Sequence, residues 1–159
     1  MKAATISEIK RELKEREPAE LMEAILRLAR FKKDNKELLT YILYESDNET
    51  SYINSVKYEV DEAMAGLNKW SIYYLKKSLR KVLRNLDKKI RYSGNKETEV
   101  ELRIYFCQKM RNERIPVTRS RILSNLYAGQ IKKIRAAIAK LHEDLQYDYN
   151  HELENLLNT

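Results

Sequence analysis

Wherever apolar residues show a period along this chain, the period is three and four. That spacing lines one side of an α-helix, whereas a strand would alternate. The clearest case is Ser71–Tyr92, where Ile72, Leu75, Leu79, Val82, Leu83, Leu86 and Ile90 fall on one side. Upstream, Thr5-Ile6-Ser7-Glu8 reads as a capping box opening a helix to Arg16, with Ile6, Ile9 and Leu13 as its stripe. Pro18 suits the first turn of a second helix, which runs to about Phe31 with Leu21, Ile25, Leu26 and Leu28. Asn35 reads as the cap of a third, Lys36 to about Glu45. Leu38, Leu39, Tyr41, Ile42 and Leu43 surround that third helix with apolar groups, which predicts a central, buried element.

Past a polar loop at residues 46–50, a fourth helix extends to about Asn68 with Ile53, Val56, Val60, Met64 and Leu67. After the Ser71–Tyr92 helix, Gly94 marks a stop. Asn95 caps a sixth helix, Lys96 to about Asn112, apolar all round through Val100, Leu102, Ile104, Tyr105, Phe106 and Met110. It too is predicted to be buried. A seventh starts at Thr118 or Ser120 and runs to about His142. A short final helix is expected near Leu153, Leu156 and Leu157.

Arg30-Phe31 and Arg91-Tyr92 each lead through a short link into Asn-Lys-Glu, at Asn35 and Asn95. Each time an amphipathic helix precedes an Asn-capped, nearly all-apolar one. Two such hairpins resemble the units of an α-solenoid of the HEAT type. The resemblance is architectural, covers roughly residues 18–112 and rests on no family-specific motif. The expected fold is thus all-α: one domain over residues 1–159 with seven or eight helices. Antiparallel hairpins stack in it as a short HEAT-like solenoid, or the helices form an irregular bundle. The acidic segment 143–159 is expected to dock loosely.

Composition supports this picture. Three glycines and two prolines in 159 residues leave little punctuation for strands and tight turns. A hydrophobic content of 43% is that of a folded chain. No run is apolar enough to cross a bilayer, and the start MKAATISEIKRELKER has no apolar signal core. Cys107 is the only cysteine, which excludes an internal disulfide. A cytoplasmic protein is expected, and the sequon Asn48-Glu49-Thr50 is then a chance match.

Charge adds the one functional lead. Ser71–Tyr92 holds eight of the 31 Lys and Arg but, in Asp87, one of the 24 acids, so the net +7 resides in this stretch. Lys77, Arg80, Lys81, Arg84, Lys88 and Arg91 share the polar side, without the interspersed glutamates that usually support a solvated helix. Acids elsewhere in the fold, foremost Asp144, Asp148, Glu152 and Glu154, or an anionic partner should compensate. The expected role is a non-catalytic interaction or scaffold module docking an acidic protein partner. The alternative is a nucleic-acid-binding protein using the basic face of residues 76–91. Tyr73 and Tyr74 beside Trp70 are candidates for stacking bases; the competing expectation, favoured here, has one tyrosine packed inward and the other covering lysine stems.

Enzyme signatures are missing: no Gly-rich phosphate loop, GxSxG or HExxH appears. His142 and His151 lie near carboxylates, but nine residues apart they do not share a helix face as metal ligands, so no metal or cofactor is expected. Asp47-Asn48-Glu49 lacks calcium-loop spacing, and Cys107 in an apolar helix reads as an inert core thiol.

Overall fold

The computed structural model describes residues 1–158. They form eight α-helices: α1 Ile6–Lys14, α2 Pro18–Phe31, α3 Lys33–Thr40, α4 Glu49–Ala65, α5 Ile72–Ser93, α6 Lys96–Asn112, α7 Arg121–Ile138 and α8 Glu143–Asn158. A π-helical turn, Tyr41–Glu45, follows α3, and a 3₁₀ turn, Val117–Arg119, precedes α7. Among the described residues there is no strand, and no helix is long and apolar enough to cross a membrane. The chain divides into two compact units, residues 1–44 and 45–159.

Local chemistry sets most helix ends. Thr5 and Glu8 complete the capping box of α1, the Thr5 N–H donating to Glu8 at 2.7 Å. Asn48 Oδ1 accepts from the Ser51 N–H at 3.0 Å and opens α4. Ser71 Oγ caps α5 and Ser120 Oγ caps α7. At its far end α5 runs into Gly94, whose φ of 66° lies in the left-handed region that side chains with a Cβ resist. Asn95 Oδ1 then accepts from the Glu97 N–H at 2.8 Å and starts α6.

In the larger unit α6 is the hub, packing on α4, α5, α7 and α8. Leu102, Phe106, Cys107 and Met110 are fully enclosed, as an element apolar on every side requires. α5 supplies Leu75, Leu79, Leu86 and Ile90 to this core, α7 supplies Leu123, Ile134 and Ile138, and α8 docks through Leu153 and Leu156. The last helix is longer than the short one expected, spanning 16 residues. One charged group lies inside. Arg103, 4% exposed, donates from Nε to Glu99 at 3.0 Å and from Nη1 to Asp87 at 2.8 Å and Gln130 at 2.9 Å. A buried guanidinium is tolerable only when bracketed in this way.

The smaller unit is built differently. α2 and α3 pack against each other, and α1 makes no comparable seam. Tyr41 is its one buried apolar residue. Two expectations fail here. α3 starts at Lys33 rather than Lys36, and Asn35 is not its cap: Asn35 Nδ2 donates to the Leu28 carbonyl at 2.9 Å, tying the hairpin together. Nor is this region buried, since Leu38, Ile42 and Leu43 are exposed and Leu39 is only half-buried. The reason is physical: burial on every side needs neighbours on every side, and within its unit α3 has one helix to pack on. The parallel between the third and sixth helices, on which the HEAT-like stack rested, is therefore lost.

Candidate functional site

α5 presents two sides of opposite chemistry. With Leu75, Leu79, Val82, Leu83, Leu86 and Ile90 committed to the core, the other side faces solvent. At about 100° per residue, Tyr73, Lys77, Arg80, Arg84, Lys88 and Arg91 fall within roughly 40° of one line, a row about 27 Å long at the usual helical rise. Lys81 lies alongside. Lys77, Arg80, Lys81, Arg84 and Arg91 are exposed and Lys88 is half-buried.

The ion pairs of this helix leave most of the row free. Asp87, its only acid, is taken up by Arg103 at 2.8 Å and Lys133 at 3.5 Å. Lys89, off the row, meets Glu59 at 3.0 Å. Lys88 is engaged within the fold. Among the described residues no carboxylate lies within salt-bridge reach of Lys77, Arg80, Lys81, Arg84 or Arg91. The acidic C-terminal segment is directed elsewhere: α8 packs on α6 and α7. Asp144 stands 3.6 Å from His142, and Asp148, Glu152 and Glu154 form no ion pair with the row. Mutual repulsion along the row is thus uncompensated by the protein itself.

The aromatic residues at the head of the row point outward. Trp70 is 88% exposed, Tyr73 59% and Tyr74 45%. The two tyrosine rings meet edge to face, centroids 5.3 Å apart and planes at 80°. Lys76 Nζ lies 5.2 Å from the Tyr73 ring centre. The expectation of an inward tyrosine is corrected, because Leu75 and Leu79 already fill the inward positions. The lysine over a tyrosine is present. At the other end of the row, Arg91 lines an open cleft with Gly94, Asn95, Lys96 and Lys133.

Other candidate chemistry remains scattered. Among the described residues no three of His, Cys, Asp and Glu stand together as metal ligands. Cys107 is enclosed, and burial pushes its thiol up to about 12, with Arg103 opposing, so it is held as the unreactive thiol. Sequence reasoning missed the Arg103 network. Glu99 four residues before Arg103 was a visible hint, but Asp87 and Gln130 lie 16 and 27 residues away in sequence. Partial burial pushes Glu99 up, yet hydrogen bonds from Lys96 and Arg103 outweigh it and hold the carboxyl below its ordinary value.

Comparison of the chain with protein-family models, with curated proteins and with solved structures finds no match, so its functional reading rests on this geometry.

Proposed function

We propose that this chain is a non-catalytic docking module whose α5 row holds an anionic macromolecule, and that this macromolecule is nucleic acid. The observation that carries the reading is the continuation of a line of unneutralised cations into open aromatic rings. Cations spaced one helical turn apart suit a phosphate backbone, whose affinity comes from counterion release. Trp70, Tyr73 and Tyr74 add faces on which unpaired bases stack, a contribution worth about 1–3 kcal/mol per base in single-strand binders. The sequence alone favoured an acidic protein partner, because the tyrosines were expected to be occupied inside the fold. With both exposed, that preference loses its ground. Docking of an acidic protein is the second reading, carried by the same cations without the rings.

Trp70 is the only tryptophan, so its fluorescence reports on the head of the row. Titration with a single-stranded oligonucleotide should quench and shift that emission at low salt, and a polyglutamate of equal charge should leave it unchanged. Changing Lys77, Arg80, Lys81 and Arg84 to Gln should abolish the quenching while leaving helical circular dichroism intact. Equal responses to the two polyanions would favour the acidic-protein reading. No response to either would remove both.

A further inference from the structure

The smaller unit poses a separate problem of burial. Thirteen of the large apolar residues that the chain leaves exposed lie in residues 1–44, and eight in the remainder. Phe31 is 83% exposed, and Met22, Leu28 and Ile42 are more than half exposed. Ile25, Leu28, Leu38 and Ile42 line an apolar groove between α2 and α3. A segment of this size cannot bury a core of its own, and a helix as short as α1 is marginal in water. At roughly 80 Å² each, these side chains offer on the order of 1,000 Å² of apolar surface; one side of a standard interface covers about 800 Å², and the largest apolar patch of an ordinary monomer about 300–600 Å².

We infer that the α2–α3 groove is a homodimer interface, occupied by the same hairpin of a second copy with the two α2 helices antiparallel. The charge distribution selects a second copy. Glu17, Glu20 and Glu23 occupy the first half of α2 and its cap, and Arg27, Arg30 and Lys32 the second half and its end. A partner surface of one sign would be repelled by one half. An antiparallel copy sets acid beside base at both ends, and sets the helix dipoles in opposition. The positions match as well: with Ile25 level with its own copy, Met22 is level with Leu28, Glu20 with Arg30 and Glu23 with Arg27. Such an arrangement is isologous and closes on itself, turning two open hairpins into a four-helix core.

Sedimentation velocity on the full chain, from sub-micromolar to near-millimolar concentration, tests this. A reversible monomer–dimer equilibrium is expected. Leu28→Asp with Ile42→Asp should leave a monomer at every concentration. Because that change can also unfold the hairpin, two charge variants give an independent reading. Arg27→Glu with Arg30→Glu, and separately Glu20→Arg with Glu23→Arg, should each weaken self-association at least tenfold at low salt. Mixing the two should restore a dimer containing one copy of each. A wild-type monomer throughout, a dimer indifferent to the aspartates, or charge variants that self-associate normally and gain nothing on mixing would overturn the inference.

Discussion

α6 and α3 are both apolar nearly all round, yet they meet opposite fates. α6 has helices on every side and encloses Leu102, Phe106 and Met110 completely. α3 and its π-helical continuation have one helical neighbour within their unit and leave Leu38, Ile42 and Leu43 open. The difference teaches that apolar periodicity states a demand for burial, while only the assembly of elements supplies it. Where the chain supplies it, the result is a core. Where it does not, the unmet demand is itself a functional clue.

Energetic tests should separate the two regions sharply. The largest effect is expected at the buried charge of α6. Arg103→Ala strips Glu99 and Asp87 of their partner and should cost about 3–5 kcal/mol in urea unfolding, as breaking a buried pair does. Leu102→Ala, which opens a cavity beside it, should cost about 2–5 kcal/mol. Leu43→Ala, on the open side of the smaller unit, should stay within about 0.5 kcal/mol in dilute solution. Equal losses at Leu102 and Leu43 would erase the contrast.

Hydrogen exchange sharpens it further. Amides of α6 should exchange only through global unfolding, at a rate independent of protein concentration. Those of α2 and α3 should exchange quickly when dilute and slow down as concentration rises. Concentration-independent protection in α2 would place its stabilising contacts within one chain.

How much of this was legible beforehand follows the same division. Caps made by a side chain three residues from its target were readable: Thr5 with Glu8, and Ser71 and Ser120 with their first turns. Asn95 was readable and Asn35 was not, although both precede Lys-Glu. The extended backbone before α3 falls at Lys32, with φ −148° and ψ 137°, so Asn35 is already inside the helix. The cationic row was legible because six like charges at helical spacing need no tertiary information. The outward turn of Tyr73 and Tyr74 was not, because it depends on which residues fill the core side of α5. The Arg103 network was hidden for the same reason, its partners coming from three helices.

A smaller effect is expected from pH. Partial burial would raise Glu99 and Asp61. Hydrogen bonds from Lys96 and Arg103 to Glu99, and from Lys109 and Tyr105 to Asp61, prevail and lower both. A carboxyl whose folded value is depressed stabilises above its unfolded value and loses that contribution as the pH falls through the folded one. The urea midpoint should therefore drop as the pH falls below the ordinary values of 4.5 for Glu99 and 3.8 for Asp61. Glu99→Gln should start lower and show a shallower drop. Glu152, raised by burial and then by Glu101, acts in the opposite sense.

The central claim is that the α5 row neutralises phosphates, and the salt dependence of single-strand binding tests it most directly. For single strands, the logarithm of affinity falls against the logarithm of salt with a slope of about 0.7 for each phosphate neutralised. Anisotropy titrations of wild type and of the variant with Lys77, Arg80, Lys81 and Arg84 changed to Gln should give slopes differing by about 3 if all four engage phosphates. Affinity in the variant should fall alike for every sequence. Identical slopes for the two proteins, or wild-type binding indifferent to salt, would contradict the account.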